Sequence, residues 1–151
     1  MSDLEELYRE LIRDHSKKPR NYGKIAGPHR QVEGYNPLCG DRFTVYVDVE
    51  GDRVKDIRFE GTGCAISTAS ASLMTQSVKG KTRAEAEALF HKFHQFVAAG
   101  ENEPGEEADL GKLSVFAGVR KFPVRVKCAT LAWHTLHAAL EGGEQKTVST
   151  E

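Results

Sequence analysis

The sequence predicts an α+β fold: a small antiparallel sheet of about three strands, with helices packed on one face of it. Three observations lead to this prediction. Apolar residues recur at helical spacing over the first 17 residues. From Phe43 the pattern changes to a period of two, which is typical of strands with one buried face. After residue 64 helical spacing returns and continues to residue 140.

The first helix is amphipathic. Ser2 and Glu5 have the spacing of a capping box, and the helix is expected to end near residues 17–18. The segment over 20–34 shows no clear period. We interpret it as a loop with at most a short strand near residues 31–32.

Two strands joined by a tight turn follow. The first strand places one apolar set on a single face: Phe43, Val45, Val47 and Val49. A turn at Gly51–Asp52 leads into a second strand over 53–60, and so short a link predicts an antiparallel hairpin. Val54 is out of phase with the later apolar residues of this strand, which predicts a bulge near Asp56.

The helices after the hairpin differ in composition. The first begins near Cys64 and is rich in small residues, which allow it to lie close to the sheet. The next begins at a second capping box, formed by Thr82 and Glu85. Large aromatic residues in these helices are assigned to the core: Phe90, Phe93, Phe96 and Trp133.

Turn-forming residues divide the remaining chain. Pro123 is expected to stop one helix, and Gly142–Gly143 to close the last one. The predicted segments are a loop over 99–109, a short helix over 110–119, a last helix over 128–140 and a frayed tail over 145–151. No linker divides the chain, so residues 1–151 are expected to form a single domain.

The charge balance excludes several classes of function. The formal net charge is −1, with 21 Lys and Arg against 22 Asp and Glu. This balance argues against nucleic acid or an anionic membrane as the main partner. No apolar run reaches the length of about 20 residues that a membrane-spanning helix needs. The N-terminus lacks the basic flank and apolar stretch of a signal peptide, so a cytoplasmic location is expected.

The chain contains three cysteines, an odd number that does not suit a disulfide framework. One interpretation is that all three are buried, inert thiols. Their local contexts favour a reactive or metal-binding role instead. Cys39 lies in NPLCGD, where Asp41 follows it across a glycine. Cys64 lies in GTGCAIS, at a predicted helix start whose free N–H groups favour a thiolate.

Cys128 lies in RVKCATLAW, again at a predicted helix start, with Arg125 and Lys127 nearby. Three thiolates and the Asp41 carboxylate make four ligands, the number that zinc prefers. Their formal charge of about −4 leaves a net charge of about −2 after a divalent ion binds. The side chains of Arg125 and Lys127 can offset this negative charge. Asp41 has a second interpretation, as a residue that forms a turn with its own backbone.

Two histidine pairs are weaker candidates for a metal site. His91 and His94 are three residues apart on one predicted helix, and His134 and His137 are three apart on another. No cysteine or carboxylate pattern accompanies them, so exposed or half-buried helix histidines are the simpler interpretation.

Three motifs in this order resemble the U-type iron–sulfur cluster assembly scaffold family, IscU and SufU: NPLCGD at 36–41, GTGCAIS at 61–67 and RVKCATLAW at 125–133. The resemblance covers nearly the whole chain. It implies an α+β fold in which the three cysteines and Asp41 meet at one exposed edge. It also implies a protein that accepts persulfide sulfur from a SufS- or IscS-like cysteine desulfurase. The cofactor implied is zinc, or a transient iron–sulfur cluster at the same site, with sulfur or cluster recipients as further partners.

Within this family the chain is similar to the SufU branch. IscU-type members have a histidine immediately before the third cysteine, where this chain has Lys127. The chain also has an extra segment around 105–120 that IscU-type members lack. The resemblance implies persulfide acceptance at Cys39 first, because its glycine-flanked loop is expected to move, and at Cys128 second. Two alternatives remain: a structural zinc domain that binds a protein partner without sulfur transfer, and a metallohydrolase, for which no general base is evident.

Overall fold

The computed structural model describes residues 3–27, 29–98, 110–141 and 147–149. It contains four α-helices, a 3-10 helix and four strands. In chain order these are α1 (Asp3–Lys17), β1 (Arg30–Asn36), β2 (Asp41–Glu50), β3 (Arg53–Thr62), α2 (Ala65–Val78), α3 (Arg83–Ala98), the 3-10 helix (Gly111–Lys121), α4 (Pro123–Leu140) and β4 (Thr147–Ser149). Ser2 of the first predicted capping box, the loop over 99–109 and Gly142–Gly143 lie outside the described residues.

The sheet has the order β3-β2-β1-β4. Strands β1, β2 and β3 pair antiparallel, which confirms the predicted three-stranded antiparallel sheet. The prediction of a frayed tail is wrong for residues 147–149, because β4 pairs parallel to β1 over three residue pairs. An edge strand leaves a row of backbone hydrogen-bonding groups unpaired, and β4 satisfies part of the row on β1.

Strand β1 is longer than predicted. Its burial alternates, with Val32, Gly34 and Asn36 buried between more exposed neighbours. Glycine and asparagine have low strand propensity, so the two-residue period of β1 is not evident in the sequence. Gly34 also lets α4 approach, because a Cβ there would meet Thr135 Oγ1 at 2.0 Å.

The bulge predicted near Asp56 is present. Asp48 pairs with Asp56 and Val49 pairs with Val54, so Lys55 has no partner on β2. The extra residue corrects the phase of β3. As a result Val54, Ile57 and Phe59 are all buried.

The second predicted capping box starts α3. The Glu85 N–H donates to Thr82 Oγ1 at 3.1 Å, and the Thr82 N–H donates to Glu85 Oε1 at 3.0 Å. Before this helix, α2 begins directly after Cys64, which is its N-cap residue. Both helix starts agree with the sequence prediction.

Helix α4 begins at Pro123, five residues before the predicted start at Cys128, so that prediction is wrong. Proline is suited to the first turn of a helix, because its missing N–H would have no partner there. Pro123 therefore starts α4 as well as following the 3-10 helix. Cys128 lies in the second turn of α4 rather than at its N-terminus.

Helices α2 and α4 pack on the sheet, while α1 packs on α2 and α3 packs on α4. The largest fully buried side chains come from every layer, and Trp133 of α4 lies at the centre, stacked on Phe93 with ring centroids 5.0 Å apart. The predicted core aromatics Phe90, Phe93 and Phe96 are all buried. Within the described ranges, no helix combines the length and apolar character needed to cross a membrane.

Candidate functional site

A tight turn between β1 and β2 carries Cys39. The backbone N–H groups of Cys39 and Gly40 both donate to the Asn36 carbonyl, at 3.3 and 2.9 Å. Gly40 adopts a φ of +71°, a conformation that favours glycine, and the chain then enters β2 at Asp41. The turn leaves the Cys39 thiol exposed and the Asp41 side chain fully buried.

The buried Asp41 carboxylate joins two segments of the chain. Its Oδ1 accepts a hydrogen bond of 2.9 Å from the backbone N–H of Cys64, at the start of α2. Its Oδ2 accepts a longer one, of 3.4 Å, from the side-chain amide of Asn36. The bond from Cys64 joins Asp41 to a distant segment of the chain, which favours the ligand interpretation of Asp41 over a purely local turn.

Cys64 lies at the N-cap of α2, as the sequence predicts. Its Sγ accepts a hydrogen bond of 3.4 Å from the Ser67 N–H. The pKa of Cys64 is lowered to about 6, first because the neighbouring Cys128 thiol donates to its thiolate and then because Ser67 does so too. Burial and the Asp41 carboxylate oppose this shift. The lowered pKa favours the thiolate form of Cys64.

The pKa of Cys128 is shifted in the opposite direction to that of Cys64. The Cys128 side chain is 2% exposed, and its Sγ lies 3.1 Å from Cys39 Sγ. Its pKa is raised, mainly because its proton is shared with the Cys64 thiolate and also because the group is buried. The predicted role of a helix N-terminus in ionising Cys128 is wrong, since that terminus lies one turn earlier at Pro123.

The described structure brings one ligand atom each of Cys39, Asp41 and Cys128 within 4.8 Å of one another. Cys64 lies outside this tightest group, but it lines the same open cavity as the other two cysteines. Two soft sulfur ligands and a carboxylate oxygen suit zinc, and Cys64 is the candidate for the fourth ligand. The donor set therefore fits the metal that the sequence predicts.

The two basic residues before Cys128 take different positions. Arg125 is exposed and lines the cavity, with its guanidinium carbon 4.8 Å above the Phe122 ring. Lys127 is half-buried and is not among the residues that line the cavity. Offset of the site's negative charge by Arg125 and Lys127 stays a prediction.

Sequence reasoning missed the role of Asn36 in the site. Its fully buried side-chain amide lies 3.4 Å from Asp41 Oδ2 and 3.5 Å from Cys128 Sγ, so it holds both candidate ligands. An asparagine before a proline is an ordinary turn signal, and it does not by itself indicate a contact with Cys128. A two-residue alternation along β1 places Asn36 on the buried face, and this signal could have identified its role.

The histidine pairs lie away from the cysteines, between α3 and α4. The rings of His94 and His134 have centroids 5.3 Å apart. His137 Nδ1 lies 2.8 Å from Glu87 Oε1. The structure thus joins histidines across the two helices and supplies the carboxylates that were not evident in the sequence.

Comparison with known proteins places this geometry in a family. Residues 7–129 match the NifU-like N-terminal domain. The iron–sulfur cluster assembly scaffold protein IscU of Streptococcus pyogenes is 44% identical over 141 residues, covering 93% of this chain and 87% of that protein. The zinc-dependent sulfurtransferase SufU of Bacillus subtilis is 43% identical over 145 residues, covering 94% and 97%. IscU of Escherichia coli is 29% identical, over 92% of this chain and 95% of that protein.

Solved structures agree with the sequence relatives. A crystal structure of a putative iron–sulfur cluster assembly scaffold protein for the SUF system, from Fervidobacterium islandicum, matches with a TM-score of 0.80 and 40% identity, over 87% of this chain and 94% of that one. The N-terminal part of a nitrogen-fixing NifU-like protein from Brucella abortus matches with a TM-score of 0.81 and 25% identity, over 94% and 97%. The three cysteines and Asp41 thus lie within a chain that belongs to the NifU-like N-terminal domain family, which includes relatives named IscU and SufU.

Proposed function

We propose that this protein accepts persulfide sulfur from a cysteine desulfurase at a zinc site formed by Cys39, Asp41, Cys64 and Cys128. The sulfur then passes to a recipient protein or into an assembling iron–sulfur cluster at the same site. The names of two relatives support the two halves of the proposal, since one is a cluster assembly scaffold and the other a zinc-dependent sulfurtransferase.

The observation that carries the proposal is the contact between an exposed and a buried cysteine. Cys39 Sγ lies 3.1 Å from Cys128 Sγ. The ligand atoms of Cys39, Cys128 and Asp41 all lie within 4.8 Å of one another. Cys39 is therefore both a candidate ligand and the thiol that an approaching protein meets first. Two ligands of a tetrahedral zinc about 2.3 Å from the ion lie roughly 3.8 Å apart, a separation that a small shift of the exposed turn can reach.

Zinc would neutralise part of the ligand charge and keep the coordinating thiols deprotonated at neutral pH. The Asp41 carboxylate is a harder, weaker partner for zinc than a fourth thiolate would be. Asn36 and the Cys64 N–H hold this carboxylate in place. The thiol groups are then ready for exchange without a separate general base.

Sulfur transfer to Cys39 is an exchange between sulfur atoms. The Cys39 thiolate attacks the outer sulfur of the desulfurase persulfide, a new S–S bond forms on Cys39, and the old S–S bond breaks. The desulfurase cysteine leaves as a thiolate, so no external oxidant or reductant is needed. Cys128 is the second candidate acceptor, since its Sγ lies 3.1 Å from that of Cys39.

The SufU-like assignment remains part of the proposal. It rests on Lys127, because lysine is not among the usual zinc ligands and does not replace the histidine of IscU-type members. Identity to the SufU of B. subtilis and to the IscU of S. pyogenes is nearly equal, at 43% and 44%. We further propose that residues 1–151 act as one domain with the extra segment near 105–120, and that the protein works in the cytoplasm, where its three free thiols stay reduced.

Mass spectrometry after incubation with desulfurase and cysteine tests the proposal. The wild type is expected to gain the mass of sulfur and to increase desulfurase turnover, and Cys39→Ser is expected to lose both effects. All three cysteine-to-serine variants should bind zinc more weakly. Cys64→Ser is therefore the matched control for metal loss without acceptor loss, because Cys64 is not a candidate acceptor. A protein that holds zinc in closed coordination but never gains sulfur, in any variant, is the structural zinc domain instead.

A further inference from the structure

A second group of metal-binding side chains lies where α3 faces the end of α4. Helix α3 contributes Glu87 and His91, one turn apart. Helix α4 contributes His137, and Glu141 follows as its C-cap residue, four positions later. One ligand atom each of Glu87, His137 and Glu141 falls within 4.8 Å of the others. The four residues bring two imidazoles and two carboxylates to one surface.

His137 has a carboxylate on each side of its ring. Its Nδ1 lies 2.8 Å from Glu87 Oε1, and its Nε2 lies 3.4 Å from Glu141 Oε1. A tetrahedral ion with ligands at 2.0–2.2 Å separates neighbouring ligand atoms by about 3.4 Å. The Nε2 to Oε1 separation therefore already matches the edge of such a site, whereas the Nδ1 contact is an ordinary hydrogen bond.

The arrangement also provides the outer partner that metal-binding histidines use. A histidine that binds a metal through one nitrogen almost always donates its other N–H to a carboxylate or carbonyl, which fixes its tautomer and orientation. Glu87 occupies that position at His137 Nδ1. Phe90 stacks on the same ring with centroids 5.1 Å apart and restricts its rotation further.

We propose that this face holds a second divalent transition-metal ion, bound by His137 Nε2, Glu141 and His91, with Glu87 as the positioning residue. His91 is exposed, and its ring centroid lies 6.3 Å from that of His137. Two imidazoles on one tetrahedral ion have centroids about 5 Å apart. The ring of His91 lies outside the group of ligand atoms within 4.8 Å, so it would move at least about 1 Å toward His137 to join the set. Water supplies the fourth ligand.

The proposed site is chemically and spatially separate from the cysteine site. His137 follows Cys128 by nine positions along α4, a distance of about 14 Å along the helix axis. Imidazole and carboxylate ligands suit zinc, cobalt and nickel ions of intermediate hardness, and the site contains no sulfur. Two carboxylates balance the charge of one divalent ion.

Cobalt(II) titration of the untagged protein, already loaded with one zinc per chain, tests the proposal. We expect one further equivalent to bind, with the weak visible absorption of an N/O-coordinated cobalt ion and without strong thiolate-to-cobalt charge transfer. Glu141→Gln and His137→Gln should each weaken this binding at least tenfold. Glu87→Gln should weaken it by about 10- to 100-fold through His137.

His94→Gln is the matched control, because it removes an imidazole from the same helix pair outside the proposed ligand set. Its affinity for the added cobalt should equal that of the wild type. The proposal is overturned if the wild type binds no added cobalt, if Glu141→Gln and His137→Gln bind it unchanged, or if His94→Gln loses it equally. Charge-transfer absorption would assign the cobalt to the thiolates, a result that also overturns the proposal and bears separately on the cysteine site.

Discussion

Asp41 connects the loop that carries Cys39 to the helix that carries Cys64. Each of its carboxylate oxygens accepts one hydrogen bond, from the Cys64 N–H and from the Asn36 amide. A carboxylate oxygen has more than one lone pair, so these bonds orient the group and leave lone pairs for a metal. The candidate ligands are therefore positioned before any ion binds, which reduces the reorganisation that binding requires.

Gly63 makes this arrangement possible, and Gly63→Ala is expected to weaken it. A Cβ at this position would lie 2.5 Å from Ser67 Oγ, 2.8 Å from Phe43 Cζ and 3.0 Å from Asp41 Oδ1. The hydroxyl can rotate away, but the buried Phe43 ring cannot, so the start of α2 must shift. We expect zinc affinity to fall at least about tenfold and stability to fall by about 1–3 kcal/mol, measured by chelator competition and urea unfolding.

Gly118 provides the matched control for this substitution. No atom lies within 4 Å of a Cβ built on Gly118. Gly118→Ala should therefore bind zinc as the wild type does. Equal zinc affinity in both alanine variants would show that the close approach at Gly63 has no effect on the site.

At the scale of secondary-structure elements, α1 is attached to α2 by a buried polar contact. His15 Nδ1 lies 2.7 Å from Ser72 Oγ, which also accepts a hydrogen bond of 2.8 Å from the Arg20 N–H. His15 is 2% exposed, and burial lowers its pKa below the usual value of 6.5, with a smaller effect in the same direction from Arg20. The imidazole is therefore neutral in the folded protein at neutral pH.

This burial makes stability depend on pH in a defined direction. Below about pH 6.5 the unfolded chain takes up a proton that folded His15 resists, so stability is complete above this pH and declines as the pH falls. Replacing His15 with glutamine removes this contribution. We expect a shallower loss of stability between pH 7 and about pH 5 in His15→Gln than in the wild type, measured by urea unfolding at each pH. Parallel pH profiles in the two proteins would contradict the expectation.

Helix α4 contributes residues to the cysteine site, to the surface facing α3 and to the core. It contributes Cys128 to the cysteine site, His137 to the surface facing α3, and Trp133 to the core between them. The side chains of Arg30 and Arg83 donate to the carbonyl of Leu140 at its C-terminal end. These contacts fix the helix along its axis, and hence the position of Cys128 relative to the turn that carries Cys39.

For the molecule as a whole, one core supports all the segments that form the site. Trp133 is fully buried, stacks on Phe93 and donates its indole N–H to Ser70 Oγ at 3.2 Å. The Ser70 hydroxyl in turn donates to the Ala129 carbonyl. Packing and hydrogen bonding at this point join α2, α3 and α4.

Trp133→Ala should destabilise the whole fold. The loss of a buried indole leaves a cavity and typically costs about 3–5 kcal/mol. The exposed Leu7 of α1 serves as the comparison, since Leu7→Ala leaves no cavity and should change stability by less than about 1 kcal/mol. Thermal and urea unfolding of both variants would test this, and a Trp133→Ala protein as stable as the wild type would show that the core is not organised around this residue.

Local features of the fold were predictable because each depends on neighbours in sequence. The alternation from Phe43, the out-of-phase Val54 and the capping box of Thr82 and Glu85 each identified a local structure that the fold contains. The incorrect predictions concern segments whose residues are compatible with more than one local structure. Pro123 was interpreted as a helix stop but lies at a helix start, and the β4 tail forms a strand only because β1 offers it an edge.

The sequence by itself determined the four ligand candidates, Cys39, Asp41, Cys64 and Cys128, because each lies in a short motif whose chemistry is local. Only the tertiary structure decided which thiols are in contact, that Asn36 contacts two of the candidate ligands, and that α3 and α4 bring histidines and carboxylates together. The physical reason is that hydrogen bonds, burial and metal geometry depend on distances between side chains far apart in the chain. Those distances exist only after the core has packed.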